Sequence, residues 1–265
     1  MKDNKITKLQ LEHVSHSYGP VAVLQDLNFN VMPGELVVIV GPSGCGKTTL
    51  LNVLSGHIEP LAGKVHREGV IRTVYQQDGL FPWLTVAENI SMGLRSMTEQ
   101  QRKQELSELF KLIHLEGFEN HYPHELSGGM RQRAEIARAL AGESDILLMD
   151  EPFSALDYQT RLRMRRDLVR LLALRQRTVV FVTHDIEEAA QLADRVLVLS
   201  KRPAAISREF TIRSAKPRNL TAPAVIAAMK AILSQLGLQP WDGNTSTIFD
   251  DSIPSSLKPG KEELS

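Results

Sequence analysis

Residues Gly41-Pro42-Ser43-Gly44-Cys45-Gly46-Lys47-Thr48 have the types and spacing of a loop that wraps phosphate: a glycine, four residues, then Gly-Lys-Thr. Glycine lets the backbone curl so that successive amides point at phosphate oxygens. Lys47 would reach the β- and γ-phosphates, and the Thr48 hydroxyl would ligate Mg2+. The continuously apolar run Leu36 to Val40 precedes the loop, and a helical pattern begins near Thr49. The loop therefore ends on a helix N-terminus, which adds partial positive charge. A chance glycine-rich turn would lack both flanks. Cys45, the single cysteine, lies inside the loop; a thiol beside a helix start and a lysine is expected to titrate low and react readily.

Two more segments could share that chemistry. Asp145 to Glu151 is an apolar run ending in two carboxylates. Ligands of open α/β sheets bind at such strand ends. There Asp150 can hold Mg2+ and Glu151 can orient, or take a proton from, an attacking water. His184 closes a similar run, Thr178 to Thr183, and could approach the γ-phosphate from the same edge, although a lone histidine is more often structural. In Leu126 to Arg133, Ser127 suits a helix N-cap and Gly128 and Gly129 leave the first amides bare. That makes a second anion cradle, whereas one nucleotide needs only one. Either this is a plain capped helix, or it closes on phosphate held by another subunit.

The elements that must carry these residues follow from periodicity. Ile146 to Met149, Val179 to Val182 and Val196 to Leu199 repeat the continuously apolar character of Leu36 to Val40, which predicts strands covered on both faces. Helical patterns lie between them, for example Leu106, Leu109, Phe110 and Ile113. The fold class predicted is α/β with a mainly parallel sheet. Alternation at Leu9 to Val14 and Leu27 to Val31 adds strands with one wet face. Residues 79–142 hold helices and no strong strand, so they are expected to form an inserted helical lobe. Ala224 to Leu236 suits a final helix. Residues 1–236 are expected to form one domain and residues 237–265 a polar, flexible tail.

Composition narrows the function. Lys plus Arg and Asp plus Glu are 31 each, so no global charge favours a nucleic-acid partner and none is expected. The lone cysteine fits a reducing compartment. Met1 to Lys5 lead into alternating residues, so no signal peptide is expected, and no run approaches the roughly 20 apolar residues that span a bilayer. A membrane role must then act through a partner. Arg161, Arg163, Arg165, Arg166, Arg170, Arg175 and Arg177 form a basic segment, expected to be a solvated helix face.

Together these motifs resemble the ATP-binding-cassette ATPases, over nearly the whole chain to about residue 236. Ser127 to Gln132 is similar to the family's signature motif, Ser154-Ala155-Leu156-Asp157 to its D-loop and His184 to its switch histidine. Tyr18 sits where the family places an aromatic that stacks on adenine, and Gln76 matches the glutamine between its lobes, a catalytic and Mg2+-contacting position. The resemblance implies ATP and Mg2+ as cofactors and a nucleotide site extending through Thr49. Two cassettes would pack head to tail, with ATP between one phosphate loop and the other's Ser127, Gly128, Gly129 and Asp157. Gly79 to Val86, with its Pro82-Trp83 pair, resembles the importer branch for nitrate, sulfonates and taurine and implies a permease contact there. A solute-binding protein outside the membrane would act indirectly, and the chain would lie peripherally on the cytoplasmic face of the inner membrane. The stretch Gly63 to Tyr75 is shorter than is typical, so the antiparallel β lobe is expected to be trimmed. The rival reading, a soluble cassette ATPase working on DNA or ribosomes, fits less well: neither a second cassette nor a long coiled-coil insertion occurs.

Overall fold

The computed structural model describes residues 7–75, 79–175 and 177–238. Strands β1 (Leu9–Tyr18) and β2 (Val21–Val31) form an antiparallel hairpin closing at Tyr18 opposite Val21. Both run well beyond the segments whose alternation is visible in sequence. The reason is a pair of irregularities at His13 and Asp26, which take φ of 53° and 49° and shift the register. Such bulges break the period of two. Side chains satisfy the displaced backbone: Asn28 accepts from the His13 amide at 2.8 Å and Ser15 from the Asp26 amide at 2.9 Å.

Strand β3 (Leu36–Val40) leads through the phosphate loop into α1 (Lys47–Ser55). Strand β4 (Ala62–Arg67) then pairs with β1, so the antiparallel lobe is a three-stranded sheet in the order β2-β1-β4. Strand β5 (Ile71–Val74) crosses to the second sheet. The helical lobe comes next, with α2 (Val86–Ser91), α3 (Glu99–Ile113) and α4 (Gly128–Leu140). The chain continues as β6 (Ile146–Asp150), α5 (Tyr158–Arg175), β7 (Thr178–Val182), α6 (Ile186–Leu192), β8 (Arg195–Leu199), β9 (Ile206–Thr211) and α7 (Pro223–Gln235). The second sheet has the order β5-β6-β7-β3-β8-β9, parallel except for β9.

The apolar central strands explain themselves through the two-residue period. Leu36, Val38 and Val40 of β3 belong to the core shared with the helical lobe, α5 and α6, whereas Val37 and Ile39 join the core shared with α1, β1 and β2. One strand thus seats two layers, which is why no polar residue interrupts it. Strand β9 escaped the sequence reading because it is an edge strand with mostly exposed side chains. Among the described residues, no helix is long and apolar enough to cross a membrane.

The basic segment is only partly a solvated face. Arg163, Arg166 and Arg170 are exposed, but Arg165 is 1% exposed and its guanidinium meets Asp185 at 2.6 Å and Glu188 at 3.0 Å. Arg177 is also buried and donates to the Gly142 carbonyl at 2.5 Å. The carboxylates that draw Arg165 inward lie about twenty residues further on, so local composition could not show them.

Candidate active site

The phosphate loop sits at the C-terminal end of β3, beside the ends of β6 and β7. A cleft of about 590 Å³ opens there, lined by Ser43, Gly44, Gly46, Lys47, Thr48, Thr49, Glu151, His184 and Arg202. The loop's curl depends on its glycines at two points. Gly46 has φ 123°, and a Cβ there would meet Val23 at 2.7 Å; only glycine fits. Gly41 lies so close to Leu199 that a Cβ would approach it at 3.0 Å. The helix starts at Lys47 rather than Thr49, so Lys47, Thr48 and Thr49 present first-turn amides that have no intrahelical acceptor. The Lys47 ammonium is folded back onto the carbonyls of Gly41 and Pro42, at 2.9 and 3.1 Å.

Thr48 donates its hydroxyl proton to Asp150 at 2.8 Å. Two hard oxygens thus converge at one edge of the cleft, and such oxygens suit Mg2+, which takes few protein ligands and shares the rest with phosphates and water. Burial pushes the Asp150 carboxyl above its usual range, and neighbouring Glu151 pushes the same way, against the Thr48 hydrogen bond and the Lys47 charge. A divalent cation would relieve that unfavourable burial.

Glu151 stands at φ 47°, in the left-handed region that a non-glycine residue occupies only under constraint. Its amide donates to the Val182 carbonyl at 2.9 Å. Its carboxylate lies 3.0 Å from His184 Nδ1, so the two residues read separately from the sequence meet at one point. The strained turn aims the carboxylate into the cleft instead of along the strand. Gln132, on the first turns of α4, holds that turn from the other side: its amide nitrogen donates to the Glu151 carbonyl at 3.3 Å, and its oxygen accepts from the Ala155 amide at 2.9 Å.

Ser127 caps α4 as expected, accepting from the Met130 amide at 3.3 Å. Ser127 and Gly128 are exposed, and neither they, Gly129 nor Asp157 lines the cleft. Asp157 is exposed, and the Thr160 hydrogen bond holds its carboxyl below the usual range. Pro42 and Asp150 are not among the lining residues, although Asp150 is bonded to Thr48, which is. Tyr18 is half-exposed at the hairpin tip, edge-on to His16 at 4.9 Å, and is not a lining residue. Gln76 lies outside the described residues.

Cys45 contradicts the expectation of a reactive thiol. It is 2% exposed and packs in the core, where burial pushes its thiol up and outweighs the Lys47 charge. Two residues went unread in the sequence. Arg202, from the β8–β9 turn, lines the cleft and donates to the Gly44 carbonyl at 2.5 Å. Asn89, fully buried in α2, accepts from the Phe81 amide and donates to the carbonyls of Phe81, Leu84 and Thr85. It thereby staples the segment 81–85 into one shape, with Trp83 69% exposed. Arg202 acts across the fold, whereas the Asn89 contacts lie four to eight residues away and are close enough in sequence to have been suspected.

A phosphate cradle, a Thr–Asp oxygen pair and a carboxylate bonded to histidine can bind a nucleoside triphosphate and direct water at its terminal phosphate. Comparison with known proteins agrees. The ABC transporter family model matches residues 24–154. The chain is 42% identical over 254 residues to the aliphatic sulfonates import ATP-binding protein SsuB 1 of Rhodococcus jostii, covering 94% of this chain and 100% of that protein. It is 39% identical over 221 residues to SsuB of Bacillus subtilis, covering 80% and 86% respectively. Among solved structures, the dimeric ABC transporter cassette MJ0796 matches with a TM-score of 0.71 and 34% identity, over 78% of this chain and all of that one. A post-hydrolysis state of MJ0796 bound to ADP and Pi matches with the same score and 35% identity. The chain binds and hydrolyses ATP, and it belongs to the ABC transporter family.

Proposed function

We propose that this chain is the energising subunit of an importer for a sulfonate, taurine, nitrate or a related small solute. The observation that carries this reading is the stapled segment 81–85: a rigid platform, fixed by Asn89, that presents an exposed Trp83 from the helical lobe. Phe81 packs against Trp83 at 5.4 Å between ring centroids, and the Arg138 guanidinium lies over the Phe81 ring at 5.6 Å from its centroid. An exposed aromatic on a fixed frame suits a helix of a membrane permease. The named import function of the R. jostii and B. subtilis relatives supports the choice of solute.

In this reading ATP lies on the phosphate loop, with its γ-phosphate facing Glu151 and His184. Thr48, Asp150 and Gln76 would hold Mg2+, which supplies charge neutralisation on the phosphates when bound. Glu151 positions the attacking water and accepts its proton, while His184 keeps the carboxylate in place and faces the departing phosphate. Tyr18 stacks on adenine. A second cassette offers Ser127, Gly128, Gly129 and Asp157 to close the site, and ATP favours the closed pair because it bridges both surfaces. The pair sits under the permease on the cytoplasmic face, and a solute-binding protein delivers cargo from outside.

The test is growth. A host deleted for this chain and given alkanesulfonate as sole sulfur source should fail to grow, and the wild-type chain should restore it where Trp83→Ala does not. Normal growth of the deletion strain on sulfonate, taurine and nitrate alike would sink the assignment of solute.

A further inference from the structure

The cleft holds a second cation that the phosphate-loop motif does not contain. Arg202 comes from the turn between β8 and β9, on a short frame tied down at several points. The Ser200 amide donates to the Ala205 carbonyl at 2.9 Å, and the Ala205 amide donates to Ser200 Oγ at 3.0 Å. The Ala204 amide donates to the Val23 carbonyl at 2.8 Å, and Gln25 donates back to Ala204 at 2.9 Å. The turn is therefore fixed both to itself and to β2. From this frame the Arg202 guanidinium reaches the crest of the phosphate loop and donates one N–H to the Gly44 carbonyl at 2.5 Å. A guanidinium has five N–H donors in a planar fork. Arg202 lines the same cleft as Lys47, Thr48 and Thr49.

We propose that Arg202 is a nucleotide-contacting residue, which hangs from the Gly44 carbonyl by one N–H and presents the others to the phosphate chain of ATP. Three features carry the assignment. The side chain is exposed to the cleft rather than buried beneath it. Its position is set before ligand arrives, so little rotamer freedom is lost on contact. The cleft's other cation, Lys47, is occupied with Gly41 and Pro42, while Glu151 supplies negative charge in the same cleft. A polyanion bound there gains from a second positive group, and a planar fork suits phosphate oxygens better than an ammonium does.

The experiment compares full-length wild type with Arg202→Gln and Arg202→Lys, titrating ATP, ADP and adenosine by calorimetry at several salt concentrations. Loss of a charge-assisted contact should weaken ATP and ADP binding in Arg202→Gln by roughly tenfold or more. Arg202→Lys should recover part of that loss, and adenosine affinity should stay level. The slope of log Kd against log salt should become shallower in Arg202→Gln, because one ionic contact has gone. Unchanged ATP affinity would overturn the proposal. So would weakened ATP binding with an unchanged salt slope, which would make Arg202 a tether of Gly44 only. An equal loss for adenosine would mean that the variant distorts the whole cleft, and it too would count against the contact, with Arg202→Lys then deciding whether charge matters at all.

Discussion

Glu151 carries the largest expected effect of any single side chain. Its carboxylate is aimed by a left-handed backbone, bonded to His184 and held from behind by Gln132. Glu151→Gln keeps the shape and removes the proposed base, so turnover should fall by about 10²–10⁴ while ATP binding persists. Steady-state phosphate release and nucleotide titration on one preparation check this, and wild-type turnover would exclude the role. Cys45 makes the opposite kind of prediction. Buried and pushed toward the protonated thiol, it should react with maleimide at least about tenfold more slowly in the native protein than in denaturant. Equal rates would mean that the loop opens far more than its packing implies.

At the scale of elements, α5 and α6 are joined by charge in a place where apolar packing is usual. Arg165 reaches Asp185, Glu187 and Glu188, and Thr183 donates to Glu188 at 2.6 Å. Asp185 and Thr183 flank His184, so the network also fixes the histidine's backbone. Removing one partner from a buried ion pair leaves the other uncompensated. Arg165→Met should therefore destabilise the domain by roughly 3 kcal/mol in urea unfolding. Burial already raises the Glu188 carboxyl, and Arg165 opposes that rise. Without Arg165 the folded-state pKa moves higher still above the unfolded value, so the folded state binds the extra proton. Stability should then be retained at mildly acidic pH and lost as pH rises through the raised value, making the variant's deficit larger at neutral pH. An equal deficit at both would show that Glu188 does not carry it. The elements differ in how far sequence revealed them. The phosphate loop, β6 and the Ser127 cap are written in consecutive residues, and each was legible. Strands β4 and β9 lack a clean period, and Arg165, Arg202 and Gln132 find their partners across the fold, so chain-local reasoning missed what they do.

For the whole molecule, the separation of the two anion cradles is the informative fact: the phosphate loop lines the cleft, while Ser127 lies elsewhere on the surface. If a second copy completes the site as proposed, Ser127→Arg should leave ATP binding by the isolated chain intact and suppress turnover, because the added bulk would obstruct that shared site. Mixing experiments should give one impaired site per mixed pair, and undiminished activity of the pure variant would exclude a shared site. Gln132 then gains a meaning beyond its own subunit. It ties the helix that Ser127 begins to the turn that aims Glu151, so in the proposed pair whatever seats that helix on a neighbour's nucleotide would also tug on the local carboxylate. In a head-to-tail pair the wiring is crossed: occupancy at one site is felt by the machinery of the other. Such a pair should fire in concert, with a Hill coefficient for ATP above one, and Gln132→Ala should bring that coefficient toward one before it lowers the maximal rate.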